Sequence, residues 1–368
     1  MNIGIITLSA SDNCGSLLQS YALKKTLECY GNTEIINFQS EKSHIYYDLF
    51  PRELSIWKKI QKLRYINILI PEKLGYRRFR ERILKIYGKK YFLPDLFEIA
   101  DKYDVVVTGS DQVWNVLMGD FDDAFFLGWS NAKKIAYAPS LGGKNLKLSN
   151  HFQQIKEWLE QIDFISVRER AGKECLEEVT GKNIEMVLDP TLLIDEKDWK
   201  SLIKEPIVDG EYIFYYSWAY VDEETSKIVS DESRKSGLPV YVIDARKWQN
   251  KNLIKRGFTL CNECGPEAFL NLMFYAKKTY VESYHGMIFA YLFRKNFWLL
   301  DTHENFEELD TRLKELVELF GISNRVLTKY NVDSVNQNEL IDYSDNIALR
   351  ELRQKSFNFL NRALGENV

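Results

Sequence analysis

Four short polar clusters stand out in the chain, each directly after an apolar run that reads as a β-strand. The first, Asp12-Asn13-Cys14-Gly15-Ser16, leads into a helix. Backbone N–H groups and the helix dipole can hold an anion there, and the same residues also suit an ordinary helix cap. The second, Gly109-Ser110-Asp111-Gln112-Val113-Trp114-Asn115, is denser in polar groups than a turn requires. Asp111 can accept a substrate hydroxyl, Gln112 can donate, and Trp114 can offer a platform to a sugar face; the plainer alternative is a capped loop over a buried Trp114. The third, Ser166-Val167-Arg168-Glu169, sets a guanidinium at the end of an apolar strand. That is costly without an anionic partner. Its planar fork suits a carboxylate or phosphate, and Glu169, Asp163 and Asp189 are the candidate internal partners. The fourth, Glu282-Ser283-Tyr284-His285-Gly286, holds one of only four histidines. His285 there can be a cation for phosphate or a general acid/base, or a core histidine bonded to a carbonyl.

Other chemistry has weaker support. Cys261-Asn-Glu-Cys264 is a single CxxC without a second pair, so a zinc site lacks ligands. His44, His151 and His303 have no metal-ligand spacing, and no metal is expected. No GxGxxG, GxxxxGK[ST] or GxSxG stretch occurs.

The elements that must position these clusters follow from periodicity. Asn2–Leu8 reads as a buried strand, Leu17 to Leu27 carries helical spacing that stops at Gly31, and Glu34–Phe38 reads as a second strand. Such β-loop-α-β units build parallel sheets with sites at the strand C-termini. Further strands are expected at 103–108, 135–138, 164–167, 185–188, 212–216, 239–244, 279–282 and 297–300. Helices are expected at 149–161, 169–178, 223–236, 266–275, 287–293, 311–320 and 344–364. Ser283–Gly286 is thereby placed in a loop before a helix. A second half begins near residue 205.

The chain has 368 residues, 49 Lys+Arg against 53 Asp+Glu, and 45 % hydrophobic residues. Its length argues for two domains, and its apolar content excludes disorder as the main state. The slightly acidic net charge of −4 disfavours nucleic acid as a partner. Five cysteines at no framework spacing suggest free thiols in a reducing compartment. The start of the chain does not resemble a signal peptide, and no apolar run is long enough to span a bilayer. The expected location is cytoplasmic. One segment departs from the average: residues 58–90 hold twelve Lys/Arg and only two acids, Glu72 and Glu81. Ile60, Leu63, Ile66, Ile68, Leu69, Ile70 and Phe79 lie within it. It reads either as helices with a solvated basic face or as a surface for peripheral contact with anionic lipid at the inner membrane face.

In order and context these clusters resemble the polysaccharide pyruvyl transferase family. Asn13-Cys-Gly-Ser-Leu-Leu-Gln-Ser-Tyr-Ala-Leu23 is similar to the family's N-x-G-x-x-L-Q-x-Y-A-L, and Gly109-Ser-Asp-Gln-Val-Trp-Asn115 to its G-S-D-Q-x-W-N. Tyr137–Gly142, Ser166–Glu169, Leu188–Leu193, Gly265–Leu270 and Ser283–Gly286 follow in the family's order, over about residues 3–325. The resemblance implies an α/β, GT-B-type fold with two Rossmann-like domains whose parallel sheets face an interdomain cleft. The expected domains are 1–195, acceptor side, with a basic insertion at about 41–100; 205–340, phosphoenolpyruvate side; and a helix in 341–368 packing back on the first domain.

The resemblance also implies transfer of a pyruvyl group from phosphoenolpyruvate to a sugar of a cell-surface polysaccharide precursor, forming a cyclic ketal and releasing phosphate. No cofactor is implied beyond phosphoenolpyruvate as co-substrate. The acceptor sugar can be nucleotide-linked, lipid-linked or part of a glycan. His285, Arg168 and Asp111 become the catalytic candidates, with Arg168 and His285 meeting across the cleft. Asn13, Gly15, Ser16, Gly109, Ser110, Gln112, Trp114, Ser283, Tyr284 and Gly286 become the substrate-binding candidates. Ser283 stands where some members carry an arginine, and Asp301–Phe306 has no lysine where some members do; Arg312 is taken as the replacement cation. A GT-B-type glycosyltransferase using a nucleotide sugar and a non-catalytic glycan-binding protein are the alternatives.

Overall fold

The computed structural model describes residues 1–51, 53–143, 145–217, 223–243, 253–303, 306–337, 339–343 and 346–365. It divides into two compact units, 1–59 with 78–194 and 348–368, and 60–77 with 195–347. Residues 60–77, expected within the first domain, group with the second unit. Asp244, Ser344 and Asp345, expected at a strand end and a helix start, lie outside the described residues.

The first unit is built on a six-stranded sheet in the order β2-β1-β3-β4-β5-β6, with every neighbouring pair parallel. Its strands are β1 (Asn2–Ile6), β2 (Asn32–Ile35), β3 (Val105–Thr108), β4 (Lys133–Ala136), β5 (Phe164–Val167) and β6 (Glu185–Met186). β3 is buried along its whole length, as expected of a parallel strand covered on both faces. The core under the sheet gathers Ile6, Val106, Trp114, Phe126, Leu159 and Leu176. The C-terminal helix Ile347–Leu364 belongs to this unit. Its Phe359 packs against Tyr137 and Phe164, and Ser356 Oγ accepts the Leu188 N–H at 2.8 Å.

The second unit carries a second parallel six-stranded sheet, in the order β12-β11-β10-β7-β8-β9. Its strands are β7 (Ile213–Tyr216), β8 (Val240–Val242), β9 (Phe258–Leu260), β10 (Lys278–Val281), β11 (Phe297–Leu300) and β12 (Val326–Leu327). β7 and β11 are wholly buried. Among the described residues no helix is long and apolar enough to cross a membrane, and all five cysteines are free thiols.

In both sheets parallel strands bring the C-terminal ends to one edge, where open α/β sheets bear their ligand sites. Each unit uses one central strand to launch a capped helix from that edge. In the first, β1 leads through a polar loop to helix Cys14–Leu27, whose N-cap Asn13 accepts the Ser16 N–H at 3.1 Å. In the second, β10 leads to helix Tyr284–Leu292, whose N-cap Ser283 accepts the Gly286 N–H at 3.0 Å. The expected start of this helix at Met287 is therefore corrected: Tyr284, His285 and Gly286 form its first turn, because Ser283 supplies the cap.

Candidate functional site

In the first unit, loops after β1, β3, β4, β5 and β6 converge on a buried polar network. Asp111 is its hub. Its Oδ2 accepts from Ser16 Oγ at 2.6 Å, and its Oδ1 accepts from the Gln112 N–H at 2.9 Å and from Arg168 Nη2 at 3.3 Å. Arg168 Nη1 donates to Asp189 Oδ2 at 2.7 Å, while Asp189 Oδ1 accepts from the Thr191 N–H and hydroxyl. The Arg168 side chain is 1 % exposed and that of Asp189 0 %. A charge so far from water is held only with paired, hydrogen-bonded partners.

The loop that carries Asp111 follows from local backbone geometry. A Cβ on Gly109 would lie 2.2 Å from the Tyr137 carbonyl oxygen, and Gly109 has φ +113°, so only glycine fits. Asp111 itself has φ +67°, a left-handed conformation that Asp tolerates better than most residues. The Ser110 N–H donates to Gln19 Oε1 at 3.1 Å and its hydroxyl to the Ala138 carbonyl at 2.8 Å. Gln19 also donates to Thr7 Oγ1 at 2.8 Å, tying the helix to the end of β1. Glu169 does not pair with Arg168 here; it accepts from Ser140 Oγ and from the Leu141 and Gly142 N–H groups.

One expectation changes. Trp114 offers no face to a sugar: it is 0 % exposed, stacks on Phe126 at 5.3 Å and donates its indole N–H to the Phe125 carbonyl. Arg168 is buried, with Asp189 and Asp111 as partners. Asp111 accepts three hydrogen bonds, from Ser16 Oγ, the Gln112 N–H and Arg168 Nη2, of the roughly four that a carboxylate can take. Gln112 and Asn13 are half-buried, and Gln112 Oε1 accepts from Asn115 Nδ2 at 2.8 Å.

Arg80 is a residue the sequence reading passed over. Its Nε donates to the Ser9 carbonyl at 2.9 Å, and its Nη2 to the Ala10 and Ser11 carbonyls and to Asp12 Oδ1 at 2.6 Å. It therefore fixes the whole loop between β1 and the first helix. The only hint was its membership of the basic 58–90 segment.

In the second unit the site is one contiguous stretch. Glu282 accepts from the Tyr215 hydroxyl and from Ser217 Oγ, the latter at 2.6 Å. Burial and then the Glu282 carboxylate raise the Tyr215 hydroxyl well above its ordinary range. Ser283 and Tyr284 are half-buried and His285 is buried in the first helical turn, with the Tyr284 ring edge-on at 5.3 Å. Gly286 is required by packing, since a Cβ there would lie 2.6 Å from Ser283 Oγ and 3.0 Å from Tyr216 Cδ1. Arg312, expected as a replacement cation, is paired with Asp310. Its Nε and Nη2 donate to the two oxygens of Asp310 at 3.0 and 2.7 Å. Burial raises the Asp310 carboxyl, but the Arg312 bonds and charge outweigh it and hold the group below its usual value.

The sequence model of polysaccharide pyruvyl transferases matches residues 13–304, which include both capped helices, Asp111, Arg168 and His285. The chain belongs to the polysaccharide pyruvyl transferase family. Membership makes it a transferase. No curated protein sequence matches the chain. Among solved structures, the fold is similar to the UDP-N-acetylglucosamine 2-epimerase of Rickettsia bellii, with TM-score 0.54, 8 % identity, and coverage of 99 % of this chain and 96 % of that one. It is similar to S. aureus MnaA with UDP, at TM-score 0.52 and 13 % identity, covering 98 % and 96 %. It is also similar to the Methanocaldococcus jannaschii UDP-GlcNAc 2-epimerase in complex with UDP-GlcNAc and UDP, at TM-score 0.50 and 14 % identity, covering 97 % and 100 %. At such identities the likeness is one of fold: this pyruvyl transferase family member has a GT-B-type α/β fold.

Proposed function

We propose that the chain moves a pyruvyl group from phosphoenolpyruvate to a sugar of a polysaccharide precursor, closing a cyclic ketal and releasing phosphate. The observation that carries this reading is His285 in the first turn of helix Tyr284–Leu292, directly after β10. First-turn N–H groups lack helical partners and favour an anion. An imidazole beside them adds a group that can give a proton to a leaving phosphate or stabilise its charge. A donor with a phosphate and a carboxylate suits such a place.

The chemistry balances without a cofactor. C3 of the enol takes a proton, leaving an oxocarbenium-like centre at C2. A sugar hydroxyl adds to C2 and gives up its proton, the C2–O bond to phosphate breaks, and a second hydroxyl closes the ketal with loss of its proton. His285 is assigned to the leaving phosphate, as proton donor or charge stabiliser. The Asp111–Ser16 network is assigned to holding the first helix and its N-terminal turn in place.

A phosphate-release assay with phosphoenolpyruvate and a panel of free, nucleotide-linked and lipid-linked sugars tests the reading. Acceptor-dependent phosphate release supports it. Release of nucleoside diphosphate from a nucleotide sugar, with none of phosphate from phosphoenolpyruvate, replaces it by glycosyl transfer. Glycan binding without either product makes the chain a binding protein.

A further inference from the structure

The helix Ile56–Leu63 is amphipathic in an unusual sense: its apolar stripe faces water. At about 100° per residue, Ile56, Ile60 and Leu63 fall within an arc of about 60°. They are 78 %, 45 % and 53 % exposed, and Trp57 beside them is 69 % exposed. Lys59 and Lys62 are half-buried instead. In an ordinary surface helix the stripe faces the core. Ile70 and Leu74 continue the exposed apolar set on the next helix, Ile66–Arg82.

The charge along this segment is mostly of one sign. Residues 56–78 hold seven Lys/Arg and one acid, Glu72. Glu72 is buried, whereas Arg64, Arg77 and Arg78 are exposed. An apolar stripe with tryptophan at its side, on a segment rich in Lys and Arg, matches a bilayer interface bearing anionic headgroups. It matches a second copy of the chain poorly, because a two-fold interface would set the same arginines opposite one another.

We propose that the helix Ile56–Leu63 docks this protein on an anionic lipid surface, with Ile56, Trp57, Ile60 and Leu63 entering the headgroup layer and exposed arginines of the same segment, Arg64 first, attracting lipid phosphates. This stands independently of the transfer reaction. The test is co-sedimentation of the full chain with phosphatidylcholine vesicles, alone or doped with phosphatidylglycerol. Binding is expected to the doped vesicles at low salt, to be weak with pure phosphatidylcholine, and to fall as salt screens the arginines. The double variant Ile60→Glu/Leu63→Glu is expected to bind at least about tenfold more weakly. Its thermal midpoint should match the parent's, because both side chains are exposed. If it unfolds early, Arg64→Glu/Arg77→Glu takes its place and should lose doped-vesicle binding. Absence of binding to doped vesicles at low salt overturns the proposal. So does undiminished binding by the variants. Light scattering supplies the remaining arm: a dimer that Ile60→Glu/Leu63→Glu converts to monomer would make the stripe an interface between copies.

Discussion

The two units use the same device and secure it by different physics. Each places a side-chain-capped helix at the C-terminal end of a central strand, with an Asn13 or Ser283 oxygen accepting the N–H three residues on. Around Asn13 the loop is held by charge: Arg80 on three carbonyls and Asp12, and Arg168 between Asp111 and Asp189. Around Ser283 it is held by packing. Gly286 sits against Tyr216, and Met287, Ile288, Phe289 and Ala290 are fully buried behind it. A charge-wired site is damaged through stability when one partner is removed. A packed scaffold lets one polar side chain be exchanged with the effect read mainly in rate.

Substitutions can break the contrast or sharpen it. His285→Gln is expected to lower acceptor-dependent phosphate release by about 10²–10⁴-fold, the usual contribution of a general acid or base, with the thermal midpoint near the parent's. Phosphate release at the parent rate would remove the assignment. Arg168→Met is expected to destabilise by about 3–5 kcal/mol, because it strands two buried carboxylates. Urea unfolding measures this, and adding Asp189→Asn should recover part of the loss; an unchanged midpoint would mean the ion pairs do not hold the first site.

Arg80→Ala removes donors from three carbonyls and Asp12, and is expected to cost about 1–3 kcal/mol. Hydrogen exchange should quicken at the amides of the first helical turn, and unaltered exchange would deny Arg80 its part in shaping the loop. Gly286→Ala should cost about 1–3 kcal/mol by overpacking, read as a lower thermal midpoint. The smallest effect is chemical. Burial pushes the Cys261 thiol up to about 11, so a thiol reagent at neutral pH should label exposed Cys29 first and Cys261 only as pH rises toward that value. Equal labelling would mean the second unit is less closely packed around it than described.

Much of the fold was legible because apolar runs and helical spacing are local. β5, the helix Pro266–Tyr275, β11 and the helix Thr311–Phe320 stand where periodicity put them. Strand ends were less legible: β2 covers Asn32–Ile35 instead of 34–38, since pairing with β1 sets its register. The helix at Tyr284 was placed too late because its apolar face begins only at Met287, whereas the cap acts earlier. Among the site residues, the Asn13 cap was readable from type and position. Trp114 was not, because a tryptophan beside polar residues reads alike whether it faces sugar or core.

Two successive β-loop-α halves, the polar clusters at their strand ends and the family are all written in the chain. These depend on residue order and short-range period. Which charge meets which depends on the folded chain. Arg168 chose Asp189 and Asp111 over adjacent Glu169, and Arg80 left a basic surface run to clamp a loop 68 residues earlier in the chain. The fold also turned the apolar stripe of Ile56–Leu63 outward. Pairing of buried charges and the facing of a stripe are set by three-dimensional proximity and loss of water, and neither is written in local spacing.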